Sequence, residues 1–64
     1  MKIPFSVFIE AYGRLLRTAN SGARHWLIAV FHGKQQFAIR FTRIRLYDGT
    51  SAWTLDEQIT VIPD

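Results

Sequence analysis

The 64-residue sequence has no cysteine, few glycines and prolines, and no long apolar run. Without cysteine, the chain cannot form a disulfide scaffold, a thiolate nucleophile or a cysteine-ligated zinc site. Its longest apolar run, Trp26 to Phe31, is far shorter than the roughly 20 residues that a membrane-spanning helix needs. A cleaved signal peptide would leave too little chain to fold. We therefore expect a cytoplasmic protein that does not act in a membrane.

The composition predicts one small folded domain. Hydrophobic residues make up 48% of the chain and aromatic residues 14%, which is too much for a disordered protein. A domain of this size buries only about 60% of the surface that its unfolded chain exposes. Because such a core adds little stability, we expect a partner or a second copy of the chain to cover part of the apolar surface.

The first third of the chain has the periodicity of an amphipathic helix. Apolar residues recur at spacings of three and four, in a stripe formed by Phe5, Phe8, Ile9, Tyr12, Leu15, Leu16 and Ala19. Pro4 suits the first helical turn, Ser6 is an alternative cap, and residues 20–22 end the helix. The odd-numbered residues of segment 3–9 are also apolar, as in a strand. A small all-β barrel is therefore the alternative fold.

The rest of the sequence predicts strands joined by short turns. His25–His32 is apolar on both faces, which predicts a central strand covered on both sides. A long strand follows at Gln36–Tyr47, and Asp48–Gly49 indicates a hairpin. Ala52–Leu55 and the edge segment Ile59–Ile62 complete the pattern. The predicted fold is α+β, with one N-terminal helix packed on an antiparallel sheet of three to four strands.

A group of arginines on the long strand is the most suggestive functional feature. The apolar alternation of this strand changes phase near Thr42–Arg43, and a β-bulge there would explain the change. With the bulge, one face would carry Arg40, Arg43, Arg45 and Tyr47, with Arg24 and Lys34 at its ends. Arginines pair with phosphates and aromatic rings stack on bases, so this face predicts nucleic-acid binding. An acidic protein surface is an equally compatible partner, and an ordinary solvated face is the remaining alternative.

Catalytic and metal chemistry has little support in the sequence. His25 and His32 are seven residues apart, which places them on opposite faces of a strand, and no second ligand pair has zinc-like spacing. No base and acid are arranged to activate Ser6, Ser21 or Ser51, and no glycine-rich phosphate loop occurs. We therefore expect neither an enzyme nor a bound metal or cofactor.

A tryptophan provides the alternative function. Trp26 lies in the most apolar strand and is expected in the core, whereas Trp53 follows the hairpin between polar neighbours. Because tryptophan is enriched at interface hot spots, Trp53 is a candidate anchor for a protein partner. The alternative function is a small protein-binding adaptor or inhibitor, of the kind that mobile elements encode. A homo-oligomeric structural unit is the third hypothesis.

Overall fold

The computed structural model describes residues 1–20 and 22–64. The elements follow the order β1 (Lys2–Pro4), α1 (Phe5–Thr18), β2 (His25–His32), β3 (Gln35–Arg45), β4 (Ser51–Leu55) and β5 (Thr60–Ile62). Strands β2, β3 and β4 form an antiparallel sheet with β3 in the middle, and β1 and β5 form a separate parallel pair. The predicted α+β class, one helix packed on an antiparallel sheet, is confirmed. The alternative of a closed all-β barrel is wrong.

Helix α1 begins directly after Pro4, which has extended backbone angles and no side chain able to cap the helix. The backbone N–H of Ser6 instead donates to Asp64 Oδ1 at 2.7 Å, and the Ser6 hydroxyl donates to Asp64 Oδ2. Ser6 therefore lies inside the first turn, and the prediction that it caps the helix is wrong. The helix ends at Thr18, close to the stop predicted at residues 20–22. Ser21, within that predicted stop, lies outside the described residues. Among the described residues, no helix is long and apolar enough to cross a bilayer.

The core lies between α1 and one face of the antiparallel sheet, here called the inner face. Its buried side chains are Ile3, Val7, Ala11, Leu15, Ile28, Val30, Phe37, Ile39 and Phe41. On the helix, the predicted stripe is only partly buried, because Phe5, Ile9 and Leu16 remain about half exposed. The apolar side of α1 is wider than the contact with the sheet. The buried residues of the helix are Val7, Ala11 and Leu15. The rings of Phe8 and Tyr12 lie 6.4 and 6.1 Å from the ring of Phe41 on β3, measured between centroids.

Strand β2 lies at an edge of the sheet and is open on one face. Leu27 is 65% exposed and Phe31 is 67% exposed, although both belong to the most apolar segment of the chain. The prediction of a central strand covered on both sides is therefore wrong. The central position belongs to β3, which pairs with β2 on one side and with β4 on the other.

Strand β3 runs without a bulge, and this decides where the arginines point. Its pairing with β2 and with β4 proceeds in unbroken steps, the second from Phe41 opposite Leu55 to Arg45 opposite Ser51. Odd-numbered residues of β3 therefore share the inner face, and even-numbered residues share the opposite, outer face. The predicted bulge near Thr42–Arg43 is wrong. The apolar pattern changes because inner-face positions beyond Phe41 reach the surface, where arginine is tolerated.

The turn between β3 and β4 follows the predicted hairpin at Asp48–Gly49. Gly49 has a φ of 89°, a left-handed conformation that glycine adopts without steric cost. The Leu46 N–H donates to the Thr50 carbonyl at 2.7 Å and closes the loop. The Asp48 carboxylate accepts hydrogen bonds from the backbone N–H and the hydroxyl of Thr50.

Candidate nucleic-acid interface

The unbroken register of β3 divides the predicted arginine face. Arg43 and Arg45 lie on the inner face, beyond the part that α1 covers, whereas Arg40 lies on the outer face. The guanidinium of Arg40 forms an ion pair with Asp56, with Nη2 3.0 Å from Oδ2. The prediction that all of these arginines share one face is wrong, because it required the bulge.

Arg24 joins Arg43 and Arg45 at one end of the sheet. It directly precedes β2, and its carbonyl accepts a hydrogen bond of 2.8 Å from the Arg43 N–H, which extends the β2–β3 ladder by one pair. The three arginines line a shallow depression of about 250 Å³, together with Gly22, Ile44 and Ser51. We call Arg24, Arg43 and Arg45 the basic end of the sheet.

Trp53 supports the basic end from the neighbouring strand. It lies opposite Arg43 in the β3–β4 register, and the guanidinium carbon of Arg43 is 5.7 Å from the centre of its indole ring. That distance is within the range of a cation–π interaction, which favours an ordered Arg43 side chain. The indole is partly buried and also packs against the core. The role of Trp53 as an anchor for a protein partner stays a prediction.

The positive charge of the basic end is not neutralised within the described part of the chain. Ion pairs there join Arg14 to Glu10 and Arg40 to Asp56, and none involves the basic end. The acidic residue nearest to Arg45 in sequence is Asp48, and its carboxylate accepts hydrogen bonds from Thr50. Hydrogen bonds from the Thr50 hydroxyl and backbone N–H hold the pKa of Asp48 below its ordinary value.

Two other predicted residues lie outside the depression. Tyr47 is fully exposed in the loop after β3, two residues beyond Arg45, so its ring is free to contact a ligand. Lys34 lies in the turn between β2 and β3, at the opposite end of the sheet. The whole of β2 separates that turn from Arg24, and at 3.3 Å per residue this strand is about 26 Å long. Lys34 therefore does not share a surface with the basic end.

The histidines and serines are not gathered into a site. His25 and His32 are exposed at the two ends of β2, and His25 Nδ1 is 3.2 Å from Thr42 Oγ1. No cluster of three potential metal ligands occurs among the described residues. Ser6 is bonded to Asp64, Ser51 borders the basic end, and Ser21 lies outside the described residues.

Sequence reasoning missed an exposed apolar surface on the outer face of the sheet. The exposed apolar residues of the outer face are Leu27, Ala29, Phe31, Ala38 and Ile44, and the exposed polar residues beside them are Gln36 and Arg40. The signal in the sequence is the apolar character of both faces of residues 26–31, which predicts burial on two sides. A run that is apolar on both faces also fits a strand with one face open to a partner.

Comparisons with protein-family models, curated proteins and solved structures gave no match for this chain.

Proposed function

We propose that the protein is a non-enzymatic binding module that contacts single-stranded nucleic acid through its basic end. The observation that carries the proposal is the position of Arg24. This residue comes from a different segment of the chain, yet it lines the same depression as Arg43 and Arg45, and none of the three has a carboxylate partner among the described residues. Guanidinium groups present planar, forked donors that match the oxygens of phosphate.

The surroundings of the basic end suit a single strand better than a duplex. Unpaired bases stack on exposed aromatic rings, and Tyr47 offers such a ring beside the arginines. Many duplex-binding proteins instead insert a helix with polar, base-contacting side chains into the major groove. The exposed positions of α1 mix polar residues with the apolar Phe5, Ile9 and Leu16. Arg14 of this helix is paired with Glu10, so α1 offers no continuous basic face for a groove.

The test is the fluorescence anisotropy of labelled single-stranded RNA, single-stranded DNA and a matched duplex, titrated at two salt concentrations. Three phosphate contacts predict a slope of log K against log salt of about −2 for a single strand. The affinity should therefore fall by roughly 20-fold between about 50 and 200 mM salt. The duplex should bind more weakly than either single strand.

A pair of triple variants separates the site from net charge. The site variant replaces Arg24, Arg43 and Arg45 with glutamine, and the control replaces Lys2, Arg17 and Lys34 with glutamine. Each variant removes three positive charges from a protein of net charge +3. Loss of binding in the site variant alone supports the proposal. Equal loss in both variants would show attraction by net charge only, and full binding by the site variant would refute the site.

The second candidate function is an adaptor or inhibitor that binds an acidic protein surface at the same place. Two exposed apolar side chains favour it: Ile44 lines the depression beside the arginines, and Leu46 follows at the start of the loop. In a protein complex, the arginines would mainly increase the association rate, and the apolar side chains would slow dissociation. Ile44→Lys would then abolish binding, whereas Arg45→Gln would chiefly slow association.

A further inference from the structure

The outer face is an apolar surface that the protein itself leaves uncovered. Leu27 and Phe31 of β2 protrude from it, and the paired residues Ala29 and Ala38 form a low region between the two protruding side chains. Monomeric proteins rarely expose a contiguous apolar patch of this kind without a binding role.

The molecule has more surface than a monomer of its mass should have. Its accessible area is 4789 Å², whereas about 4200 Å² is expected for a chain of 7.4 kDa. The reason is its elongated shape, with principal extents of 39 × 20 × 15 Å. A standard interface removes about 800 Å² from each partner. The accessible area above the expected value is thus most of the area that each partner loses in one standard interface.

The charge of the outer face favours a second copy of the same chain. Arg40 is the one fully charged residue among the described strand positions of this face, and its ion pair with Asp56 balances it. Net positive charge opposes the association of two copies, so a contact surface without unbalanced positive charge is the most favourable one. The unpaired arginines of the basic end lie on the inner face and outside this contact.

The outer face carries both a depression and an exposed aromatic ring. A depression of about 340 Å³ includes Ala38 and has an apolar side formed by Met1, Leu27 and Ile59. Its polar side is formed by the Arg40–Asp56 ion pair and Gln58. The neighbouring Phe31 is 67% exposed and offers a ring to fill such a depression. In a two-fold arrangement, the Phe31 ring of each copy can enter the depression of the other copy, as an isologous interface requires.

The edge of β2 is less suited to association than its face. The Arg14 Nη1 group donates to the carbonyl of Ala29 at 2.7 Å and so occupies a backbone acceptor in the middle of the strand. Covering an edge acceptor in this way hinders the addition of another strand. We therefore propose that two copies pack their outer faces together about a two-fold axis, with Phe31 of each copy seated beside Ala38 of the other.

Sedimentation equilibrium of nuclease-treated protein over about 1–500 µM, at low and high salt, tests the proposal, because dimer formation follows mass action. The wild type should dimerise, and high salt should not dissociate the dimer. Phe31→Lys should weaken dimerisation by roughly 30-fold or more, as expected for a central interface residue. Circular dichroism verifies that the variant is folded.

Two further variants keep the test specific. Leu16→Lys alters a residue of similar exposure (60%) on α1 and should leave the dimer intact. Ala38→Phe fills the depression while adding apolar surface, so it should weaken a specific dimer but would strengthen non-specific association. The proposal is overturned if the wild type is monomeric or dissociates after nuclease treatment. It is also overturned if Leu16→Lys weakens the dimer as much as Phe31→Lys does, or if Ala38→Phe makes association tighter.

Discussion

The carboxylate of Asp64 accepts hydrogen bonds from both the backbone N–H and the hydroxyl of Ser6, a residue 58 positions earlier in the chain. The parallel pairing of β1 with β5 explains this contact. Lys2, Ile3 and Pro4 pair with residues 58 positions later, and the same offset brings Asp64 beside the first turn of α1. A carboxylate at this place satisfies a free N–H group and is attracted by the positive end of the helix dipole.

Removing this carboxylate should destabilise the fold. Asp64→Asn keeps the size of the side chain but removes its charge and weakens its ability to accept two hydrogen bonds. We expect the Tm to fall by a few degrees, as for the loss of other helix caps. Thermal unfolding followed by circular dichroism measures the effect. Glu57→Gln, at an exposed position, is the matched control, and an equal change in both variants would contradict the role of Asp64.

Stability should decrease in acid but not near neutral pH. Hydrogen bonds from Thr50 lower the pKa of Asp48, those from Gln58 and Arg40 lower the pKa of Asp56, and those from Ser6 lower the pKa of Asp64. A carboxyl group with a depressed pKa in the folded state stabilises the protein above its unfolded pKa. That contribution is lost as pH falls through the folded pKa.

The Tm should therefore be nearly constant from about pH 5 to 7 and should fall below about pH 4, the ordinary range of an aspartate pKa. Melting curves recorded from neutral pH into acid test this. In a variant with all three aspartates replaced by asparagine, the acid dependence should be shallower. A wild-type Tm that rises on acidification would contradict the assigned pKa directions.

Two isoleucines on the same strand test the register of β3. Ile39 is fully buried on the inner face, whereas Ile44 is 42% exposed on the outer face. Ile39→Ala should cost about 2–5 kcal/mol of unfolding free energy, because it leaves a cavity in the core. Ile44→Ala should cost less than about 1 kcal/mol. Urea titrations of both variants measure these costs, and similar large costs would indicate that a bulge turns Ile44 into the core.

The contact between Arg43 and Trp53 should be visible in both stability and fluorescence. Arg43→Gln removes the cation above the indole and should cost about 0.5–1 kcal/mol. It should also change the emission of Trp53, measured in a Trp26→Phe background. Arg45→Gln removes the same charge two residues away and should affect neither quantity. An unchanged emission spectrum with Arg43→Gln would contradict the contact.

Much of the fold could be predicted because its signals are local. Neighbouring residues alone produce the helical period of residues 5–19 and the hairpin at Asp48–Gly49. They also produce the strand composition between these two segments. The position of β2 at an edge could not be predicted, because an apolar strand face has the same sequence whether the chain or another molecule covers it. The cap formed by Asp64 depends on a contact between the two ends of the sequence, and no local pattern encodes it.

The candidate site was predicted in composition but not in arrangement. Arg43, Arg45 and Arg24 come together, while Arg40 and Lys34 separate from them. The error came from one assumption, that apolar residues of a strand always face the same core. Once a strand extends past the helix that covers it, its inner-face positions are at the surface, and alternation no longer identifies the buried side.

A ¹⁵N–¹H NMR titration of the protein with a short single-stranded oligonucleotide can locate the nucleic-acid interface residue by residue. The largest chemical-shift changes should occur at Arg24, at residues 43–47 and at the indole N–H of Trp53, with little change at Lys34 and Arg40. Changes centred on Lys34 or Arg40, or no change at low salt, would contradict the claim that the basic end is the nucleic-acid interface.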